Sequence, residues 1–121
     1  MTDTSAHLKI KLQFLAGDVI AMGPGKAELL EWLERTGSIS AAAKAMGLSY
    51  RRAWMLVDTM NRCFATPLVE TAHGGAKGGG AKVTEAGRAA LADYRRAEAA
   101  AQRAVKAEAK ALLRRVATSR S

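Results

Sequence analysis

Residues 37–54 read Gly-Ser-Ile-Ser-Ala-Ala-Ala-Lys-Ala-Met-Gly-Leu-Ser-Tyr-Arg-Arg-Ala-Trp. Ser38 or Ser40 can cap a short helix, because a serine hydroxyl accepts a hydrogen bond from the unpaired amides of a first helical turn. Gly47 breaks that helix, and Ser49 can cap a second, longer one. Two helices joined by a short turn that contains glycine are typical of a helix-turn-helix motif.

The segments before this motif predict strands and one further helix. Residues 8–14 alternate apolar with polar side chains, which predicts a half-buried strand, and 19–22 can form a second short strand. Gly17 marks a turn between them. Pro24 suits the first turn of a helix, and Gly37 suits the position just after its end.

The segments after the motif predict a hairpin and a long helix. Residues 68–72 can form a short strand, and a glycine-rich loop follows over 73–82. Residues 82–83 can then return as the paired strand. Thr84 caps a last helix, in which nothing breaks the sequence before Thr118. This order of elements predicts a mainly α fold with a small β wing, a winged helix-turn-helix with a long C-terminal dimerisation helix.

The composition is that of a small basic protein. Its 121 residues suit one domain, and Lys and Arg outnumber Asp and Glu by 19 to 11, a net charge of +8. This excess favours nucleic acid first and an anionic membrane surface second, with a basic domain that binds neither as the alternative. Cys63 is the only cysteine, which suits a reducing compartment. Without a signal peptide or an apolar run of ~20 residues, we expect a cytoplasmic protein with no membrane partner.

The helix after Ser49 has two chemically different faces. At about 100° per residue, one apolar set clusters on a single side and is expected to pack on the core. Its members are Tyr50, Ala53, Trp54, Val57, Met60 and Phe64. A Trp54→Ala substitution is therefore expected to cost about 3–5 kcal/mol as a core truncation. The opposite face carries Arg51, Arg52, Met55, Asp58, Thr59 and Arg62.

Arginines in the first turn of such a helix indicate binding to double-stranded DNA. Arg51 and Arg52 lie where helix-turn-helix proteins contact base edges, and a guanidinium can donate two parallel hydrogen bonds to guanine. A solvated helix face is the alternative. The glycine-rich loop matches no nucleotide-binding motif, and it is either a flexible tip or a DNA-facing wing. The candidate DNA-binding residues are Ser38, Ser49, Tyr50, Arg51, Arg52, Met55, Thr59, Arg62, Lys77 and Lys82.

The predicted last helix is too long for one small domain to bury. Pairing with a second copy would cover its far half and present two recognition helices to DNA. A basic, partly frayed tail is the alternative. The candidate dimerisation residues, which fall near one stripe together with Val116, are Leu91, Tyr94, Ala101, Val105 and Leu112. We expect 1–83 to form the DNA-binding domain and 84–121 a dimerisation helix that is part of it.

Catalysis, a metal site and a bound cofactor are not expected. His7 and His73 are distant from each other, and one cysteine with two histidines does not make a structural zinc site. A winged-helix module that binds other proteins, or a protein that binds DNA without sequence preference, remains the alternative to a sequence-specific regulator.

Several of these segments together resemble one known family. Residues 37–44, 47–54 and 60–61 are similar to the N-terminal domain of ModE-type molybdate-responsive regulators, which is related to the winged helix of LysR-type regulators. Residues 68–87, with their glycine-rich loop, resemble the wing of that family and the start of its long helix. The resemblance covers about 8–94. It implies a dimeric bacterial regulator in which the helix after Ser49 reads DNA and the wing contacts the backbone.

One departure from the family pattern bears on regulation. Full-length ModE-type members carry C-terminal molybdate-binding domains, and the present sequence ends at Ser121. We therefore expect a transcription regulator without a molybdate-binding domain, of constant activity or controlled by an unidentified effector or protein partner.

Overall fold

The computed structural model describes residues 5–72 and 80–117, and it has the predicted winged helix-turn-helix architecture. The helices dominate, and the strands form two separate antiparallel pairs. In chain order the elements are β1 (Phe14–Ala16), β2 (Val19–Met22), α1 (Pro24–Thr36), α2 (Ile39–Met46), α3 (Tyr50–Cys63), β3 (Val69–Thr71), β4 (Ala81–Val83), α4 (Glu85–Ala104) and α5 (Lys106–Leu113). No helix within these two ranges is both long and apolar enough to cross a membrane.

The N-terminal segment differs from its prediction. The strand expected over 8–14 begins only at Phe14, which pairs with Met22 in the β1–β2 hairpin around Gly17. Residues 8–13 form no strand, although their apolar side chains are half-buried and their polar ones exposed. Leu8 lies beside α4 and α5, and the Tyr94 hydroxyl donates a 2.8 Å hydrogen bond to the Leu12 carbonyl. The alternation of apolar and polar residues therefore arises because this segment packs one side against helices rather than pairing in a sheet.

Three helices form the core of the domain. Leu29, Leu30 and Leu33 of α1 are buried almost completely. They face the buried alanines of α2 and α3, whose small side chains allow the helices to approach closely. Ser38 caps α2, since its Oγ accepts a hydrogen bond from the Ala41 amide at 3.1 Å. Gly47 ends that helix with a φ of 71°, a left-handed conformation that a side chain disfavours.

The β3–β4 hairpin forms the base of the wing. Val69 pairs with Val83, and the Ala81 amide donates to the Gly37 carbonyl at 3.0 Å, which connects the wing to the turn between α1 and α2. Residues 73–79, which the sequence predicted as a glycine-rich loop and which include Lys77 and His73, lie outside the described residues.

The last helix is divided, contrary to the prediction of an unbroken helix up to Thr118. Val105 departs from helical geometry with φ −102° and ψ 5°, so that α4 ends at Ala104 and α5 at Leu113. β-branched valine is a poorer helix former than the surrounding alanines, and Val105 is exposed, so that core packing does not hold it in the helix.

Candidate nucleic-acid interface

The recognition helix, α3, begins where the sequence predicted. The Ser49 Oγ accepts a hydrogen bond from the Arg52 amide at 3.0 Å and thereby caps the helix. On its inner side Ala53, Val57 and Met60 are buried in the core. The spacing of these three residues fixes the rotation of α3 about its axis and so determines which side chains point away from the protein.

The outer face of α3 offers two arginines without protein partners. Arg51 and Arg52 are exposed, and neither side chain makes a hydrogen bond or an ion pair within 5–72 and 80–117. The third arginine of this face differs, because the Arg62 Nε lies 3.0 Å from Asp58 Oδ2. Exposed pairs of this kind contribute about 0.2–1 kcal/mol, so that Arg62 can exchange Asp58 for another anion at little cost.

The other predicted DNA-binding residues differ in their exposure to solvent. Met55 lies at the middle of the outer face and is exposed, whereas Thr59 is half-buried. On the wing, Lys82 is exposed and lies opposite Glu70 in the β3–β4 register. Ser38 is half-buried and is engaged as the cap of α2. Ser49, which caps α3, and Tyr50 are exposed as well, so the accessible parts of the predicted interface are the start and outer face of α3 together with Lys82.

The predicted core positions of Tyr50 and Trp54 are wrong. Tyr50 is 54% exposed and Trp54 is 44% exposed. Both residues lie at the edge of the apolar stripe and border a recess beside the start of α2 and the wing, outside the buried core. The helical periodicity correctly identified the centre of the buried face, but a projection on one helix does not show where the neighbouring elements end.

A recess opens beside this edge, between the start of α2, the first two turns of α3 and the wing. Its volume is about 460 Å³. Hydroxyl and aromatic groups line it, and none of its described lining residues carries a carboxylate. The lining residues are Ser38, Ile39, Ser40, Tyr50, Trp54, Thr71, Ala72 and Gly80.

Asn61 fixes the wing against α3. Its side-chain amide donates to the Val69 carbonyl at 2.9 Å, and its Oδ1 accepts from the amides of Leu68 at 2.8 Å and of Val69 at 3.1 Å. One side chain thus satisfies three backbone groups where the chain enters β3. From the sequence, Asn61 enters only through the resemblance to ModE-type regulators and is assigned no contact, since a lone asparagine near a helix end is common in caps and turns.

Comparison with known proteins places this arrangement in a family. The model of the bacterial regulatory helix-turn-helix proteins of the lysR family matches residues 25–88. The chain belongs to this family. The matched segment of the lysR-family domain begins in α1 and ends in the first turn of α4, so it contains α2, α3 and the described part of the wing.

Individual relatives have names connected with molybdenum. The chain is 46% identical to the molybdenum-pterin-binding protein MopA of Rhodobacter capsulatus over 69% of its own length and 32% of that protein. It is 46% identical to the molybdenum transport protein ModE of Azotobacter vinelandii over 64% of its length and 29% of that protein. The DNA-binding transcriptional dual regulator ModE of Escherichia coli K12 is 41% identical over 59% of the chain and 27% of the regulator. The chain spans about a third of these relatives, which confirm the resemblance to ModE-type regulators.

Among the residues that the structure describes, Lys26 is the one charged residue that is buried. It lies in the first turn of α1, and its side chain is withdrawn from solvent. Burial lowers the pKa of Lys26, Cys63 opposes that shift, and the positive charge of Arg52 adds to it. Cys63 itself is half-buried. No cluster of histidine, cysteine and acidic side chains suitable for a metal ion occurs among the residues that the structure describes.

The predicted dimerisation stripe changes its environment along the helix. Leu91 packs against the core, and Tyr94 is only 2% exposed, with its ring in edge-to-face contact with Phe14. These two side chains are engaged within the protomer. Farther along, Ala101 is half-buried and Leu112 is 66% exposed. The same stripe thus leaves the core between Tyr94 and Leu112.

Proposed function

We propose that this chain is the DNA-binding module of a bacterial transcription regulator that recognises double-stranded DNA by sequence. The observation that carries the proposal is the pair of exposed, unpartnered arginines in the first turn of α3, on a helix held rigidly by the core. In helix-turn-helix proteins this turn contacts base edges in the major groove. Arg51 and Arg52 would then act as base-reading residues, with Met55 and Thr59 beside them.

The charge of the protein supports the same target. A net charge of +8 favours the phosphate backbone and accelerates encounter with DNA. Exposed Lys82 on the wing, and Lys77 in the loop beyond it, would contact phosphates next to the groove in which α3 lies. Since DNA is the proposed partner, the cytoplasm is the proposed place of action.

We further propose that the regulator acts as a homodimer. The stripe on α4 and α5 continues past the core through Ala101, Val105 and Leu112, and the last two are exposed. A second copy would bury these side chains and place two α3 helices on successive half-sites of one DNA duplex. The relatives' names further suggest target genes concerned with molybdenum, with a signal supplied by an effector or a protein partner.

The test of DNA recognition is selection from a random duplex library at two salt concentrations, followed by sequencing. A palindromic motif that persists at the higher salt is the expected result. Arg51→Ala and Arg52→Ala should each weaken binding to that motif by about 5- to 150-fold, the range that corresponds to the loss of one bidentate base contact of about 1–3 kcal/mol. The control is Arg103→Ala, which removes the same charge from an exposed position on α4.

Three outcomes would contradict this proposal. Recovery of no motif, with binding that disappears steeply as salt rises, would mean contact with DNA through charge alone. If Arg51→Ala and Arg103→Ala weaken binding to the selected motif equally, the first turn of α3 makes no base-specific contact. If the protein binds no duplex at all, a protein-interaction module becomes the better interpretation of this winged helix.

A further inference from the structure

We infer that the recess between α2, α3 and the wing receives the sugar-phosphate backbone of one DNA strand, with Trp54 and Tyr50 as its contact residues. The ring faces would pack against deoxyribose, and the Trp54 indole N–H and the Tyr50 hydroxyl would donate to phosphate oxygens. This inference rests on the proposed DNA binding and adds to it a contact that supplies affinity without reading sequence.

The exposure of the two rings is the first observation. Large aromatic side chains are usually buried, yet Trp54 and Tyr50 each expose close to half of their surface on the same edge of α3. Neither the indole nitrogen nor the phenol oxygen has a hydrogen-bond partner within the described ranges. The side chains thus offer both apolar area and unused donors to whatever lies in the recess.

The wing fixes the shape of the recess. Trp54 and Asn61 are seven residues apart, which is two helical turns, so they lie on the same edge of α3. Asn61 holds the start of β3 through three hydrogen bonds, and the next part of the wing, at Thr71 and Ala72, lines the recess opposite Trp54. The aromatic edge and the wing are therefore preorganised to receive a strand between them.

The position of the recess favours the backbone over the bases. Arg62 and Met55, on the outer face of α3, lie about 80–100° around the helix from Trp54. When that outer face points at base edges, the Trp54 edge faces the strand that borders the major groove, which is wide enough to admit little more than the helix. The hydroxyls of Ser40 and Thr71 also line the recess. Hydroxyls and tyrosines are common donors to phosphate, and the described lining residues include no carboxylate that would repel it.

The test compares the selected motif with a scrambled duplex of the same length, by fluorescence anisotropy at one salt concentration. Trp54→Ala should weaken binding to both duplexes by the same factor, about ten-fold, which corresponds to about 1.4 kcal/mol. Trp54→Phe and Tyr50→Phe, which keep a ring and lose a donor, should have smaller effects that are again equal for the two duplexes. Arg51→Ala should instead weaken binding to the selected motif more than to the scrambled one.

Two controls separate this contact from folding. Trp54→Ala should melt at the wild-type temperature, because the side chain is not in the core. Leu15→Ala truncates another large exposed side chain, outside the recess, and should leave binding unchanged.

In a Trp32→Phe variant Trp54 is the only tryptophan, and its emission should change on addition of either duplex.

The outcomes discriminate between the alternatives. An equal loss on both duplexes supports the backbone contact. A loss confined to the selected motif, or a changed motif in the selection, would overturn it in favour of base reading by Trp54. Unchanged binding by Trp54→Ala would overturn it as well. Failure of the wild-type protein to bind either duplex would instead overturn the proposed function and this inference together.

Discussion

Gly87 lies in the first turn of α4, where that helix passes against the base of the wing. A Cβ atom at this position would overlap the Leu68 carbonyl oxygen and stand 2.8 Å from Cγ1 of Val83. Glycine is required here by close approach, since the backbone of Gly87 is helical and not in the left-handed region. The residue therefore decides how closely the wing and α4 can pack.

Gly87→Ala is expected to destabilise the protein by about 1–3 kcal/mol, the usual cost of overpacking, because the Leu68 carbonyl is backbone and cannot move aside. The measurement is the midpoint of urea unfolding. The matched control is Gly25→Ala in the first turn of α1, where a Cβ atom meets nothing within 4 Å and alanine is the better helix former. Equal midpoints for the two variants would contradict this account of the packing.

Lys26 offers a prediction about pH. Its pKa is lowered, first of all by burial, so the unfolded chain holds the proton more tightly than the folded one. The buried charge therefore costs stability at every pH below the folded pKa. That cost is relieved as the pH rises through the folded pKa towards the ordinary value of 10.5.

Lys26→Met keeps most of the side-chain volume and removes the charge. We expect it to raise the melting temperature at neutral pH, with a gain over the wild type that shrinks in alkaline buffer. Lys44→Met, at an exposed position on α2, serves as the control and should change little. A Lys26→Met protein that melts below the wild type at neutral pH would mean that the ammonium group stabilises the fold.

At the scale of elements, α3 and the wing act as one unit through Asn61. Asn61→Ala would leave the Val69 carbonyl and the Leu68 and Val69 amides without their partner. We expect a loss of about 1–3 kcal/mol in the free energy of unfolding. Weaker DNA binding should accompany this loss, because the wing would no longer be held at a fixed distance from α3.

Arg62→Ala, the neighbouring exposed substitution, is the stability control for Asn61→Ala. It removes only a surface ion pair with Asp58 and should change the free energy of unfolding by less than about 1 kcal/mol. Chemical unfolding of both variants measures the difference. If the two losses are the same, the hydrogen bonds of Asn61 contribute no more than an exposed contact.

The N-terminal segment shows how one sequence pattern can arise from two structures. Leu8, Ile10 and Leu12 alternate with polar residues as in a half-buried strand. They lie against α4 and α5 instead. Tyr94 of α4 is buried, and its hydroxyl donates a hydrogen bond to the Leu12 carbonyl. Any extended chain that packs one side on a surface acquires this alternation, so the pattern alone does not distinguish a helix from a strand as the packing partner.

At the scale of the whole molecule, the exposed end of the C-terminal stripe predicts dimerisation. Leu112→Asp places a charge on this stripe at an exposed position, so it should disrupt a dimer without affecting the fold of the protomer. Sedimentation velocity should show the wild type as a dimer and the variant as a monomer at micromolar concentration. Ala107→Asp, an exposed position on the far side of α5, should remain dimeric. A wild-type protein that sediments as a monomer would contradict the proposed pairing.

The sequence by itself determined the order of the helices and of the wing, and the centre of the recognition helix, but not the true start of β1 or the division of the last helix at Val105. Ser49, Gly47 and the spacing of Ala53, Val57 and Met60 act within a few residues of one another, so local rules predict the capping, the turn and the buried stripe. The family resemblance rests on the same local pattern, and the match over 25–88 confirms it. Arg51 and Arg52 were accordingly predicted on the exposed side of α3, where the structure has them.

Only the tertiary structure decided what lies at the edges of each element. Trp54 is exposed because the core ends beside it, whereas Tyr94 is buried because the N-terminal segment covers it. Asn61 became important because its edge of α3 meets the wing, and the recess exists because the wing stands away from Trp54. Each of these facts depends on where a distant segment lies. A periodic pattern fixes the direction in which a side chain points, but the neighbouring elements determine what it meets there.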